Sequence, residues 1–195
     1  MHQPPAWALE GARRLTLEGF QRAFGEAWKR VDRDFLKVEC WQSYQEADGV
    51  RSQQAYQQGR LDLARGLLRE EAQGDQPLYD EVNERKLAFT RLRLISFPLT
   101  GYLRYELINY AIRRELGENI EFVTPPSPVT EYFDFLLFDQ HTALIHDYGP
   151  GPVGHQVGGW VTHTAGPLAR LADLAAELRA HLRPWPDGGE VEPTA

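Results

Sequence analysis

The segment 98–106 contains the residue types best suited to bind a ligand. The side chains that could bind a ligand or take part in a reaction are Tyr102, Arg104, Tyr105 and Glu106. They directly follow a sequence that is typical of a helix start. Unpaired backbone N–H groups and the helix dipole favour an anion at a helix N-terminus. Arg104 would add a bidentate hydrogen bond to a carboxylate or phosphate. The segment therefore predicts a site for a small anionic ligand.

The same helix has a polar face along its length. Tyr102, Glu106, Asn109 and Arg113 are spaced three or four positions apart, so they share one side on which a ligand could lie. A structural interpretation stays open. In that interpretation Glu106 and Arg113 are solvated, Tyr105 packs, and Arg104 makes an ion pair within the fold.

Two carboxylates flank a β-rich run at 134–139. Strand alternation places Asp134 with Leu136 and Phe138 on one face, and Asp139 falls in the following turn. Both aspartates are predicted to contact the ligand. The alternative is that Asp134 pairs with a neighbouring arginine and Asp139 only builds the hairpin turn.

A group of histidines falls in the C-terminal third of the chain. Its members are His141, His146, His155 and His163. Their spacing matches no recurrent metal-ligand pattern, so no metal site is predicted. General acid–base catalysis by His146 with Asp134 or Glu106 is nevertheless a second hypothesis, which would make the protein a hydrolase or lyase, with or without a metal.

Signatures of other chemistries are missing from the sequence. There is no glycine-rich phosphate loop and no Gly-x-Ser-x-Gly motif, so no cofactor is predicted. Cys40 is the single cysteine, which excludes an internal disulfide framework, fits a reducing cytoplasm and is typical of a small buried side chain.

Length and charge narrow the class of protein. The 195 residues suit one domain, and a net charge of −7, from 21 Lys and Arg against 28 Asp and Glu, argues against direct nucleic-acid binding. No signal peptide or membrane span is apparent, so we expect a cytoplasmic protein. The expected organisation is an N-terminal extension at 1–15, one domain at 16–183 and a disordered tail at 184–195.

Hydrophobic periodicity predicts the elements that would position these residues. Helices are expected from the N-cap Thr16, over 50–73, from Pro77 to about Arg85, from the N-cap Thr100 to Gly117, and over 168–182. Strands are expected at 35–41, 89–97, 120–123, 133–138, 142–148 and 155–161. The predicted fold is α+β, with a mixed or antiparallel sheet of five to six strands ending in a β-meander, packed by N-terminal, central and C-terminal helices.

Three of these segments resemble an actinobacterial family of domains of unknown function. Its members carry a Pro-Leu-x-x-Tyr-x-Arg-Tyr-Glu segment, matched here at 98–106, a Gly-Glu-x-Ile step, matched at 117–120, and an Asp-Phe-Trp-Leu-Phe-Asp strand, matched at 134–139 with Leu136 in place of Trp. Such proteins are often encoded beside helix-turn-helix regulators. The resemblance implies a sensor or partner module and supplies no catalytic residues.

The sequence therefore favours a non-enzymatic regulatory module over an enzyme. It would bind a small anionic ligand, or a partner transcription regulator, through the polar start of the helix at 101–114. A third hypothesis is a scaffold that forms a homodimer through the helix at 168–182. No membrane partner is expected.

Overall fold

A mixed β-sheet organises the chain, which the computed structural model describes at residues 3–45, 50–151 and 153–184. The strands are β1 (Arg13–Thr16), β2 (Asp34–Glu39), β3 (Ala88–Leu94), β4 (Asn119–Val123), β5 (Phe135–Phe138), β6 (Thr142–Asp147), β7 (Gly158–Thr162) and β8 (Leu182–Arg183). The helices are α1 (Leu17–Trp28), α2 (Arg51–Gln57), α3 (Leu61–Gly74), α4 (Gln76–Arg85), α5 (Gly101–Glu115) and α6 (Ala165–Arg179). The α+β class is therefore confirmed.

The strands form one sheet in the order β1-β7-β6-β5-β2-β3-β4-β8. The neighbours β2, β3 and β4 run parallel, and every other pairing is antiparallel. The predicted meander is confirmed as β5, β6 and β7. The predicted number of five to six strands is wrong, because the sheet has eight. The additional strands, β1 and β8, lie at the edges and are too short to give an alternating hydrophobic signal.

Helices cover both faces of the sheet. Alternation along 35–41 predicts that Val38 and Cys40 face the core. Val38 of β2, Cys40 just after it and Leu92 of β3 do pack in one apolar cluster with Leu171 of α6. The opposite face meets α1 through Phe20 and, farther along, the helices α2 to α5. Because both faces are covered, the charged side chains of Glu39, Arg91 and Arg93 are largely shielded from bulk water.

Side-chain caps start two of the helices. The Thr16 hydroxyl accepts a hydrogen bond from Gly19 N at 3.2 Å, and the Thr100 hydroxyl accepts one from Leu103 N at 3.1 Å. Both predicted N-caps are confirmed. The predicted helix at 50–73 is instead two helices, α2 and α3, which are separated around Gly59 with its φ of +73°.

Helix α5 packs against β4 through one apolar stripe. The spacing of Leu103, Leu107 and Ala111 predicts that these three residues form the buried stripe of the helix. Leu103 and Leu107 do belong to a buried cluster with Phe122. The third predicted stripe residue, Ala111, is exposed, and Tyr110 fills the corresponding place in the cluster. The stripe leaves the opposite, polar side of α5 facing the enclosed part of the sheet.

The chain ends add two observations. Ala8 and Leu15, from the segment expected to be an extension, are buried against the rest of the fold. The expected disordered tail, apart from Pro184, lies outside the described residues. Within the described residues, no helix is both long and apolar enough to cross a membrane.

Candidate functional site

A cavity of about 1090 Å³ lies between the sheet and helices α1 to α5. Its floor is the face of β2 and β3 that carries Lys37, Glu39, Arg91 and Arg93, continued by Asp134 and His146 beside them. Its walls include the aromatic residues Phe20, Phe24, Trp41, Tyr44, Tyr102, Tyr105 and Tyr148. The volume is sufficient for a small organic molecule.

Glu39 lies at the centre of the floor and is held by three side chains. Arg91 Nη1 donates to both of its carboxylate oxygens at 2.9 Å, Lys37 Nζ lies 2.6 Å from Oε1, and Tyr110 OH donates to Oε2 at 3.1 Å. Burial alone would raise the pKa of Glu39, but Arg91 and Lys37 outweigh it and hold that pKa well below its usual range. Glu39 is therefore an ionised, fully bonded carboxylate.

The bonding continues from Arg91 to the helices above the sheet. Arg91 Nε donates to Glu118 at 2.6 Å, and Tyr79 OH donates to the other oxygen of Glu118 at 2.6 Å. Arg113 Nη1 in turn donates to Tyr79 OH at 3.0 Å and to Asp75 at 2.7 Å. Each of these cations thus already has a carboxylate partner within the protein.

Arg93 is different. It is only 2% exposed, and its Nη2 donates to the Trp41 carbonyl oxygen, while its Nε has no hydrogen-bond partner. No carboxylate of the described residues lies within 4.0 Å of its guanidinium. Arg93 therefore presents a buried positive charge to the cavity, without a direct counter-ion in the part of the chain that the structure describes.

Glu106 is the carboxyl group that α5 contributes to the cavity. It is 5% exposed and lies in the field of Glu39. Burial first, and then the negative charge of Glu39, raise its pKa, although Arg91 and Arg93 act against them. Glu39 and Glu106 are thus two carboxyl groups of one cavity whose pKa values are displaced in opposite directions.

His146 lies between two aromatic rings at the other side of the floor. Its ring centroid is 4.7 Å from that of Phe20 and 5.4 Å from that of Tyr148, which it stacks on. Both ring nitrogens are buried and make no direct hydrogen bond to a described residue, although the Gln156 side chain is close enough to act on the imidazole. Burial lowers the pKa of His146 to about 4, against a smaller opposing effect of Asp134. The imidazole is therefore neutral near pH 7.

Asp134 connects the end of β2 to Tyr148 in the cavity wall. Its Oδ1 accepts hydrogen bonds from Cys40 N at 2.7 Å and from Cys40 Sγ at 2.9 Å, and its Oδ2 accepts one from Tyr148 OH at 2.8 Å. Its backbone oxygen accepts from His146 N at 3.1 Å. The predicted arginine partner is replaced by these neutral donors.

The structure brings together most, but not all, of the residues predicted to bind a ligand. The polar face of α5 is directed into the cavity, which is lined by Tyr102, Tyr105, Glu106, Asn109 and Arg113 together with Asp134. Arg104 and Asp139 do not belong to the lining of this cavity.

Asp139 instead holds the start of β2. It lies in the β5–β6 turn with a φ of +48°, and its carboxylate accepts hydrogen bonds from the backbone N–H groups of Asp32, Arg33 and Asp34 at 2.6, 2.9 and 2.7 Å. These bonds outweigh burial and lower the pKa of Asp139. The role visible here is structural.

The four histidines do not lie together. The His163 ring is 3.2 Å from the His141 carbonyl oxygen, at the hairpin end, while His146 lines the cavity and His155 is exposed. Among the described residues, no group of three His, Cys, Asp or Glu side chains is arranged to hold a metal ion.

Sequence reasoning missed the most important floor residues, Arg91 and Arg93. Their alternation with Leu92 and Leu94 predicted the strand but is equally typical of a strand with one face in water. The parallel pairing that sets Arg93 beside Glu39 depends on contacts between segments far apart in the chain. The sequence did offer one signal for this floor, because charged residues stand at every second position both in 37–39 and in 91–93.

Comparison with known proteins places the chain in a family but gives it no function. No curated protein matches the chain. A family model described as "Domain of unknown function (DUF6879)" matches residues 22–187 and so covers α2 to α6, β2 to β8 and most of α1. This protein therefore belongs to the DUF6879 family of domains of unknown function.

Proposed function

We propose that this protein is a non-enzymatic sensor or regulatory module that binds a small anionic ligand in the cavity, with Arg93 as the group that holds the anion. The observation that carries the proposal is the buried guanidinium of Arg93, which lines the cavity and has no carboxylate of the described residues within 4.0 Å. Such a charge is expected to have a counter-ion, and the cavity has room for one.

The energetic argument concerns the cost of burying a charge. Removing an ion from water costs several kcal/mol in real proteins unless a counter-charge and hydrogen bonds compensate. The Trp41 carbonyl compensates part of this cost for Arg93. A bound carboxylate or phosphate would supply both the negative charge and further acceptors in a planar arrangement that suits arginine.

The other cations of the floor support the choice of Arg93. Lys37 and Arg91 are paired with Glu39, and Arg113 is paired with Asp75. An anion that approached these residues would compete with an existing carboxylate. We therefore move the anion contact from Arg104, the residue favoured by the sequence, to Arg93, and keep Tyr102, Tyr105, Glu106 and Asp134 as cavity walls.

The binding test compares two arginine variants by isothermal titration calorimetry with a panel of small carboxylates and phosphate monoesters. We expect Arg93→Gln to weaken binding at least about 30-fold, because removing one partner of a buried charge pair costs 2 kcal/mol or more. Arg104→Gln, outside the cavity lining, is the matched control and should bind as the wild type does.

Folding is checked in the same experiment. Arg93→Lys keeps the charge but loses the planar fork, so it should bind with intermediate affinity even if the glutamine variant is unstable. Anion binding that is unchanged in a folded Arg93→Gln protein would refute the proposal. A partner transcription regulator, implied by the resemblance to proteins encoded beside such regulators, stays a separate prediction.

A hydrolase or lyase is the second candidate, favoured by one observation. His146, Asp134 and Glu106 line the same cavity, and the raised pKa of Glu106 would suit a proton donor. Turnover of any ester, amide or phosphoester that is lost in both His146→Asn and Glu106→Gln would support this candidate. Turnover that survives both substitutions would exclude these residues as the catalysts.

A further inference from the structure

Four floor residues lie in one row across four adjacent strands. Arg93 of β3 is in register with Glu39, which directly follows Val38 of β2. Because Val38 pairs with Phe135, the next position opposite Glu39 is Asp134, whose backbone oxygen accepts from His146 N. The row therefore reads Arg93, Glu39, Asp134, His146, with all four side chains on the cavity face.

The two inner members of the row are fully bonded within the protein. Both oxygens of Glu39 are occupied by Arg91, with Lys37 and Tyr110 beside it. Both oxygens of Asp134 are likewise occupied, Oδ1 by Cys40 N and Oδ2 by Tyr148 OH. These carboxylates have no need of a ligand.

The two outer members are not fully bonded. Arg93 Nε and both ring nitrogens of His146 are buried and make no direct hydrogen bond to a described residue, although the Gln156 side chain lies close enough to the imidazole to raise its pKa slightly. An unsatisfied buried polar group costs about 1–3 kcal/mol, so each is expected to have a partner in the functional state. Three strand spacings separate the outer members, which places their Cα atoms about 14 Å apart.

Aromatic rings follow the row from one end to the other. Successive ring centroids are 6.0 Å apart for Tyr102 and Tyr44, 5.6 Å for Tyr44 and Tyr148, and 5.4 Å for Tyr148 and His146. Gly154 fits closely behind this wall, because a Cβ there would come within 2.8 Å of the Tyr44 ring. Tyr44 is tilted by 55° to Tyr102 and lies edge-on to Tyr148, so the middle of the row is lined by aromatic rings that a ligand could contact by a face or an edge.

We infer that the ligand is an elongated anion with a second, uncharged polar group at its far end, bound with its anionic group at Arg93, its apolar middle on the aromatic wall and its uncharged group hydrogen-bonded to His146. This inference rests on the proposed function and adds His146 as a specificity-determining residue. The matching chemical class is aryl or alkyl carboxylates and phosphate monoesters that carry a terminal hydroxyl or amide. A neutral imidazole offers such a group both a donor and an acceptor.

The test uses two matched series of probes. One series is 4-hydroxyphenyl alkanoic acids with side chains of two to six carbons, and the other has a methyl group in place of the hydroxyl. For the best chain length we expect the wild type to bind the hydroxyl compound about tenfold more tightly, the value of one net hydrogen bond. Alkyl phosphates with the same terminal groups show whether the anion is a carboxylate or a phosphate.

Two variants measure how much each end of the ligand contributes to its affinity. His146→Phe keeps an aromatic ring between Phe20 and Tyr148, and should abolish the hydroxyl preference while binding the methyl compounds unchanged. Arg93→Gln should weaken both series equally. His141→Phe, at the hairpin end and outside the cavity lining, should leave all affinities unchanged. If His146→Phe fails to fold, His146→Leu, which also has no hydrogen-bonding group, replaces it.

The possible failures are distinguishable. Equal wild-type affinity for the two series, or a hydroxyl preference that persists in His146→Phe, would overturn the inference and leave the proposed function intact. Binding that does not respond to Arg93→Gln would overturn the proposed function itself. Failure of every probe to bind at millimolar concentration would count against both.

Discussion

Burial gives the titratable residues of the cavity protonation states that their sequence does not reveal. Burial is the largest effect on the pKa of both Glu39 and Glu106, but Arg91, Lys37 and Arg93 together outweigh it at Glu39 and keep that carboxylate ionised. His146 is held neutral by the same effect, because its neighbours Phe20 and Tyr148 offer rings rather than counter-charges. The residues that respond to a ligand or to pH are therefore those without an internal partner.

The pH dependence of stability should show the buried His146. In the unfolded chain this residue takes up a proton near pH 6.5, whereas in the native state it does so only near pH 4. The unfolded state therefore binds more protons between these values, and stability is lost as the pH falls through this window. At pH 5 the loss is about 2 kcal/mol.

Urea denaturation at pH 7 and pH 5 measures this effect. The free energy of unfolding of His146→Phe should fall about 2 kcal/mol less than that of the wild type over this interval. Phe20→Leu, which alters packing against the same ring, is the control and should keep the wild-type slope. Glu39 has a lowered pKa, so its own contribution is lost at lower pH and does not obscure the comparison. Equal slopes for wild type and His146→Phe would contradict the prediction.

At the scale of elements, the β5–β6 turn positions β2 and hence the cavity floor. Asp139 in that turn accepts three backbone hydrogen bonds from the residues that lead into β2. Asp139→Asn keeps the size and tolerates the positive φ, but it replaces a charged acceptor by a neutral one. We expect a loss of about 2 kcal/mol in the free energy of unfolding.

The same substitution separates a structural role from a binding role. Since Asp139 does not line the cavity, Asp139→Asn should leave the affinity for the anionic probes unchanged. Gln140→Asn, at the neighbouring position with a φ of +57°, is the control and should cost no stability, because asparagine tolerates this conformation. A large loss of affinity in Asp139→Asn, with stability preserved, would restore the ligand role that the sequence suggested.

Local signals predicted the elements far better than the cavity. Thr100 and Gly117 mark the limits of α5 because a side-chain cap and a left-handed C-terminal residue act within a few positions of the chain. The strands β1 and β8 gave no such signal, because each is only two to four residues long and is held mainly by its neighbour. A helix start such as Thr100 can therefore be predicted from the sequence, whereas a short strand such as β8 can be identified only once its pairing with β4 is known.

The site was only partly predictable for the same reason. Helical spacing correctly placed Tyr102, Glu106 and Arg113 on one face, and that face lines the cavity. The position of Arg93 in the cavity depends on which strands become neighbours and on which helices cover them. Local hydrophobic periodicity predicts neither of these. The sequence therefore predicted the wall that α5 forms but not the charged floor opposite it.

At the scale of the molecule, a net charge of −7 does not decide what the cavity binds. Surface charge acts through water and is screened within about 10 Å at moderate ionic strength, whereas charges in the cavity are screened far less. Lys37, Arg91 and Arg113 are balanced by nearby carboxylates, which leaves Arg93 as the floor cation with no such contact among the described residues. An acidic protein can thus hold an anion at one enclosed position.

Helices α2 and α3 share fewer apolar contacts with the rest of the molecule than the central strands do. Leu68 and Ala72 of α3 pack with Tyr105 and Ile112 of α5 in a cluster separate from the two clusters that cover the central strands. The cavity lies between α3 and the sheet, so α3 is joined to the fold largely through α5. Fewer shared apolar contacts predict that α2 and α3 open locally at a lower free energy than β2, β3 and β5.

Hydrogen exchange with and without ligand tests this division. In the free protein, backbone amides of α2 and α3 should exchange faster than those of β2 and β5. A ligand that bridges the floor and the helices stabilises the native state against opening, by about 2.7 kcal/mol at 100 times its Kd. Exchange should therefore slow most in α2, α3 and α5. The Arg93→Gln protein at the same ligand concentration is the control and should show much less slowing, because a 30-fold loss of affinity reduces the stabilisation to about 0.9 kcal/mol. Protection confined to α6, on the opposite face of the sheet, would place the ligand outside the cavity.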